Sequence, residues 1–598
     1  MISVFLHACG LVSALGPNLP SALARLQNGG VEPNPLAVSP DTVWPCFTIA
    51  DEDTDWYARA RRLTLQAVAE CGELDRDAPL FLASCSLDVG AVEDGTPYLT
   101  DCQAFAETVV GWLDWRGPVF WISTACSSAS NALLAALNYL QSSMQAGPAR
   151  CALVLGMELR NRFTYAGFGA MQLLDTQRPR PLSADRAGLV LGEAVAALYL
   201  STEPSRWRLC GGANVVDGSD PAGATSDAVQ TMVKRALADA GLMASDIDLI
   251  KLQAAGSPGN DATELAGLRA AFGTLPALVS LKAEIGHTLG ASGAAELALL
   301  MACLENKVWP APRCAADPAL GAELASEAPG VCYLMSNILG FGGGHATVIV
   351  EDCASQEEGF HRRGVATQKA AKEILNSSPD AGQRPESGAL PPASRVAPDY
   401  AALHPGYELP ADGQVWHIAG RCFASPPPAD WREQLAVRLG FKPRRIGRWA
   451  ELALYGALRC LDEAGEATLP ADALLSLASL RGPDQALRAS LAEAADGMPL
   501  PLGFLQSQPN QALAHLCKAL NWQGDARCLT TRDPLAALRL ACASAGPVGV
   551  LLGWIDEDQD GASQWLRLLP MANGDFAPLP ETLAALGDPT LKGFGLRG

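Results

Sequence analysis

Short unbroken apolar runs alternate along the chain with longer stretches in which apolar residues recur every three or four positions. Phe81-Leu82-Ala83-Ser84, Val119-Phe120-Trp121-Ile122 and Leu153-Val154-Leu155-Gly156 have the length of strands buried on both faces. Between such runs lie helix-length stretches, as where Ala228, Val229, Met232, Val233, Ala236 and Leu237 line one side of a helix. Strand and helix alternating in this way predict an α/β fold.

The pattern stops at about Cys353. Residues 353–398 are rich in Ser, Pro, Gly and Ala, as in Asn376-Ser377-Ser378-Pro379-Asp380-Ala381-Gly382, and lack periodicity, so they read as a flexible linker. The alternation then resumes over 399–598 and repeats the opening of the chain. Residues 415–420 echo 4–10, 449–458 echo 62–68, 473–479 echo 79–85, and 548–554 echo 152–157. Setting Ala537 on Ala132 puts Thr531 opposite Cys126, and the nearby Cys528 reads as a structural thiol.

Composition narrows the class. A chain of 598 residues that is 49% hydrophobic can bury large cores and is long enough for several domains. Its formal charge of −20 argues against binding nucleic acid or an anionic membrane. The seventeen cysteines include no Cys-x-x-Cys pair and no Cys/His ligand spacing, which speaks against zinc and against a disulfide framework. No run of about eighteen apolar residues predicts a membrane span. The opening reads as a first strand, since no basic residue precedes Arg25, so a cytoplasmic protein is expected.

The candidate chemistry begins at Ser123-Thr124-Ala125-Cys126-Ser127-Ser128-Ala129, set between the apolar run ending at Ile122 and a helical pattern starting near Asn131. Strand, tight turn and helix start would expose the Cys126 thiol as a nucleophile elbow does, and the helix N-terminus favours thiolate. Small neighbours leave room for a thioester, whose oxyanion backbone N–H groups can hold. Most of the other sixteen cysteines read as buried structural thiols. Further on, Lys282-Ala283-Glu284-Ile285-Gly286-His287 places a histidine in a glycine-punctuated turn, with Glu296 beyond it, and Gly340-Phe341-Gly342-Gly343-Gly344 forms a glycine loop.

With these motifs in order, together with Gly10-Leu11-Val12-Ser13, Pro181-Leu182-Ser183-Ala184-Asp185, Gly192-Glu193, Asp261 and Glu264, residues 1–352 resemble the β-ketoacyl synthases of the thiolase fold. The resemblance implies a layered α/β/α/β/α fold of two similar halves, 1–165 and 166–352, with the active site where they join. It implies Cys126 as nucleophile and His287 as the decarboxylation imidazole, with Lys282 and Glu296 orienting it. Phe341, Gly342, Gly343 and Ser257 would contact substrate. It implies no metal and no cofactor, the substrates riding on the phosphopantetheine of an acyl carrier protein. It also implies pairing through the strand that leads into the nucleophile, giving a homodimer or a heterodimer with a second ketosynthase. The C-terminal region then resembles a decayed half-ketosynthase without a nucleophile, expected to dock on the first domain or to shield an edge where a partner would sit.

One loop departs from the family. Where its members carry a first histidine in His-Gly-Thr-Gly-Thr-Pro, this chain reads Gln253-Ala254-Ala255-Gly256-Ser257-Pro258. The expectation is a protein of a type II fatty-acid or polyketide pathway that takes acyl groups on Cys126 but is impaired in condensation, as in non-elongating ketosynthases, and that partners an active one. Two alternatives remain open: an active synthase in which Gln253, a water or His345 supplies the missing donor, and a non-catalytic scaffold or chain-length factor. His345 otherwise reads as a loop side chain bonded to backbone. Arg160, Arg162, Arg178 and Arg180 are candidates for a basic patch facing the acidic carrier protein.

Overall fold

The computed structural model describes residues 2–50, 55–96, 102–142, 150–219, 223–355, 407–408, 415–495, 500–558 and 560–571. Of the expected linker, only 353–355 fall within the described residues.

Sixteen of the described strands form one sheet, in which a single five-stranded arrangement occurs three times. In the first unit the strands run Val4–Ser13, Leu80–Ala83, Val119–Ile122, Cys151–Glu158 and Ala194–Ser201 along the chain. Across the sheet their order is first, fifth, fourth, second, third. The second unit, Trp207–Val216, Leu249–Lys251, Ala277–Val279, Tyr333–Leu339 and Gly344–Asp352, has the same order. So does the third: Val415–Ala424, Leu474–Ser479, Asp525–Thr530, Val550–Asp556 and Ala562–Met571. In every unit the second, third and fourth strands are parallel, and the fifth returns antiparallel between the first and the fourth. The short Tyr407–Glu408 strand borders Val415–Ala424.

The returning strands move a boundary. The first half was expected to end at 165, but 165 lies inside the helix Arg162–Ala170, and Ala194–Ser201 still belongs to the first unit. The second unit opens at Trp207. The apolar Ala194–Ser201 strand, buried along most of its length, fills the gap that the parallel strands leave beside Val4–Ser13.

The units join at two seams. The first strands of units one and two pair antiparallel, Val4 opposite Leu209. The third strands of units one and three pair antiparallel as well, Ile122 opposite Leu529 and Trp121 opposite Thr530. A strand edge left bare is open to pairing with another chain. The edge through which the resemblance implied a dimer is filled by the chain's own Asp525–Thr530 strand.

The helices Ser128–Gln141 and Ser292–Asn306 form the central layer of the first two units and are buried on nearly every face. Gly293 sets their approach: a Cβ there would lie 2.4 Å from Ser130 Oγ and 2.6 Å from Ser130 N. Ala537 and Leu540 of the third unit's helix Pro534–Ser544 complete the same apolar cluster.

Candidate active site

The strand Val119–Ile122 and the helix Ser128–Gln141 leave a tight turn between them, and Cys126 stands in it. Ala125 adopts φ 53°, a left-handed conformation that a non-glycine residue holds only when its surroundings fix it. Serines do so here. Ser128 Oγ donates to Ala125 O at 2.6 Å and accepts from Thr124 N at 2.9 Å, while Ser127 Oγ donates to Thr124 O at 2.8 Å.

His287 follows Gly286, whose φ of 71° turns the chain so that the imidazole faces this elbow. His287 Nε2 lies 3.0 Å from Cys126 Sγ. Its Nδ1 lies 3.0 Å from Lys282 Nζ and 3.1 Å from Ser292 Oγ. An ammonium donating to Nδ1 leaves the ring proton on Nε2, aimed at the sulfur. Lys282 is itself paired with Glu296, whose other oxygen takes Lys251 Nζ at 2.8 Å, and all three side chains are 0% exposed. Lys251 also donates to Asn337 O at 2.6 Å.

Two buried lysines share one carboxylate, and the local charges follow from that. Burial, then Lys282 and Lys251, push the His287 pKa well below its usual value, so the imidazole is neutral. Burial pushes the Glu296 carboxyl up, but Lys251 and Lys282 outweigh it and hold the group below the usual range. For Cys126 the balance goes the other way. Burial raises the thiol pKa, against hydrogen bonds from backbone N–H of Phe341 and of Cys126 itself and against the charge of Lys282. Desolvation outweighs these and holds the thiol pKa above its ordinary value.

Gln253 stands at the end of the Leu249–Lys251 strand, at the head of a loop held by two carboxylates. Glu264 accepts from the N–H of Gln253 and of Ala254, both at 2.9 Å. Asp261 accepts from Leu182, Ala255, Gly256 and Ser257 at 3.0–3.2 Å. Burial pushes the Glu264 carboxyl up to about 7. Gln253 and Ser257 line a cavity of about 110 Å³ together with Cys126, His287 and Phe341. Gln253 Oε1 has no hydrogen-bond partner among the described residues.

A second cavity, about 50 Å³, lies on the other side of the sulfur. Cys126, Phe163, Phe168 and Phe341 form one wall, and Leu487, Phe504 and Thr530 of the third unit form the other. Phe504 sits 5.3 Å from the Phe163 ring and 5.8 Å from Phe168, and a Cβ on Gly167 would come within 2.3 Å of its ring.

The structure thus brings Cys126, His287, Lys282, Glu296, Phe341, Gln253 and Ser257 together. Gly342 and Gly343 shape the turn after Phe341, with φ of 80° and 74°, and face Asn510 and Asp217 instead of the cavities. His345 lines neither cavity: it is fully buried on the Gly344–Asp352 strand, with Nε2 3.9 Å from Asp217 Oδ2 and no hydrogen bond at either ring nitrogen among the described residues. The four arginines considered for a basic patch are each matched to a carboxylate: Arg160 to Glu193, Arg162 to Glu93, Arg178 to Glu32, and Arg180 to Asp175 and Asp185. Cys528 is buried, its thiol raised by desolvation and donating to Pro509 O. Sequence reading missed Lys251, Ser292 and Phe504. A lysine inside the apolar run Leu249-Ile250-Lys251-Leu252 was the one signal available for Lys251.

The chain is similar in sequence and fold to known proteins. The family model described as "Beta-ketoacyl synthase, N-terminal domain" matches residues 92–205, and "Beta-ketoacyl synthase, C-terminal domain" matches 210–314. The chain is 30% identical over 258 residues to "Nodulation protein E" of Rhizobium meliloti, covering 40% of this chain and 62% of that one. It is 31% identical over 263 residues to "3-oxoacyl-[acyl-carrier-protein] synthase 2" of Synechocystis, 39% of this chain and 61% of the relative. It therefore spans about six-tenths of the length of these curated relatives. Among solved structures, a chain of the structure titled "Ketosynthase (ApeO) in Complex with its Chain Length Factor (ApeC) from Xenorhabdus doucetiae" superposes with TM-score 0.52 at 24% identity, over 59% of this chain and 98% of that chain. A structure titled "PfaC Keto synthase-Chain length factor" superposes with TM-score 0.69 at 13% identity, over 95% of this chain and 78% of that one. These two likenesses are of fold.

Proposed function

We propose, for a chain that belongs to the β-ketoacyl synthase family, that it takes acyl groups from a carrier-protein thioester onto Cys126, extends them poorly, and carries in its third unit a built-in counterpart of a chain length factor. The observation that carries the reading is the pair formed by Cys126 and His287 Nε2, 3.0 Å apart, in a cavity where Gln253 occupies the remaining donor position.

In the loading step the Cys126 sulfur attacks the thioester carbonyl and a new C–S bond forms. Backbone N–H of Phe341 and of Cys126 hold the oxyanion. The bond to the carrier then breaks, and the carrier thiol leaves with the proton that Cys126 lost. Condensation asks more of the site. A malonyl thioester that loses carbon dioxide builds charge on an enolate oxygen, and removing one preorganised donor for such charge costs about 10²- to 10³-fold in rate. His287 Nε2–H is one donor. The Gln253 amide can donate as well but cannot exchange a proton as imidazole can. A second reading, a fully condensing synthase, draws on the Gln253 side chain lining the same cavity as His287. His345, facing Asp217, gives it no help.

The third unit supports the chain-length part of the proposal, because it fills the pairing edge and walls the second cavity with Phe504. A type II fatty-acid or polyketide pathway, an acyl carrier protein as donor and a cytoplasmic setting belong to the same proposal. The test is intact-mass spectrometry after exposure to acyl-carrier thioester. We expect one acyl adduct on the chain and none on Cys126→Ala. An adduct that persists in Cys126→Ala, or no adduct on the chain, overturns the reading.

A further inference from the structure

We propose that Asn510, supplied by the third unit, is a positioning residue for acyl transfer: it holds the Phe341 peptide so that its N–H faces the Cys126 sulfur. This rests on the acyl-accepting reading above. Asn510 is buried at the start of the helix Pro509–Leu520, and its Nδ2 donates to Phe341 O. Phe341 adjoins the reacting thiol, since it lines both cavities that Cys126 lines, and its backbone N–H opposes the rise of the thiol pKa.

The local backbone is built to admit this contact. Gly342 has φ 80°, and a Cβ there would lie 2.0 Å from Asn510 Nδ2. On the far side Asp217 N donates to Gly343 O at 3.0 Å, and a Cβ on Gly343 would meet Asp217 O at 2.0 Å. The turn is thus gripped between the second unit and the third. Asn510 Oδ1 has no partner among the described residues, so the amide leaves one buried acceptor unsatisfied while making its donor bond to Phe341. Phe504, five residues earlier than Pro509 in the same unit, neighbours the Phe341 ring at 6.3 Å between centroids, so the third unit meets both the ring and the carbonyl of Phe341.

The test uses the full chain as Asn510→Asp, which keeps the volume but turns the donor into an acceptor, and as Asn510→Ala. Two rates are read: acyl transfer to Cys126 from a short acyl N-acetylcysteamine thioester, and alkylation of Cys126 by iodoacetamide across pH. Thermal unfolding checks that each variant is folded. We expect acyl transfer roughly tenfold slower in both variants, less than the about 10²- to 10³-fold of a donor removed outright, because the Phe341 N–H is displaced and not lost. We also expect the midpoint of the alkylation profile to rise, because the thiolate has lost a hydrogen bond. Rates within about twofold of the parent and an unmoved midpoint in a folded Asn510→Asp protein overturn the inference. The alkylation arm needs no thioester, so a parent chain that takes no acyl group while Asn510→Asp still shifts the midpoint would defeat the acyl-accepting reading and leave the role of Asn510 standing.

Discussion

Lys251 and His345 are both buried ionisable residues of the second unit, with opposite consequences. Lys251 shares Glu296 with Lys282, so replacing it by Met removes one of two cations from a buried carboxylate. Breaking such a group by deleting one partner costs about 3 to 5 kcal/mol. Denaturant unfolding of Lys251→Met should show a loss of that size, and an unchanged midpoint would mean that the triad is not holding the site. His345 is buried as the neutral imidazole, its pKa lowered by burial to about 4 despite the opposing charge of Asp217. Since the unfolded chain binds that proton near pH 6.5 and the folded chain only near 4, stability is whole above pH 6.5 and falls as pH drops toward 4. The full effect is about 3 kcal/mol. His345→Asn should flatten part of that acid slope in unfolding curves measured at pH 6.5, 5 and 4.

At the scale of elements, the short helix Pro501–Gln506 bounds the second cavity, because it puts Phe504 against Phe163 and Phe168. Phe504→Ala should let Cys126 accept longer acyl chains at a stability cost of about 3 to 5 kcal/mol. A series of acyl thioesters of rising length, read as adduct mass, checks it; an identical length limit in parent and variant would place the stop elsewhere. Much of the reacting constellation is legible in the sequence, because each part is local along the chain. The elbow needs only a strand, small residues and a helix start around Cys126, and Lys282, His287 and Glu296 fall within fifteen residues of one another. Lys251, Phe504 and Asn510 are not legible there as site residues. They arrive from a different strand or from the third unit, and only the folding of separate elements brings them to the sulfur. The boundary near 165 failed for a related reason: an antiparallel return strand belongs to the strand it pairs with, and Ala194–Ser201 pairs with Val4–Ser13 across most of the first unit.

At the scale of the molecule, three copies of one five-stranded unit make a sheet whose pairing edge is closed from within. The echo between the start and the end of the chain is readable from matched apolar runs. The seam is not, since which edge meets which depends on the strand order and not on the repeat itself. Closure within one chain implies a particle near 62.5 kDa in sedimentation, and a stable particle of twice that mass would require a second interface. It also brings the third unit to the candidate site, Phe504 lining a cavity with Cys126 and Asn510 bonding to Phe341 O.

The most direct test of loading without extension is product formation by the chain and by Gln253→His. Each is given acyl-carrier and then malonyl-carrier thioester, and the β-ketoacyl product is quantified by mass. We expect both proteins to load Cys126, the parent to extend little or nothing, and Gln253→His to gain condensation by on the order of 10²-fold. A parent chain that condenses as fast as Gln253→His would contradict the account, because the imidazole at that position would then not be what the site lacks.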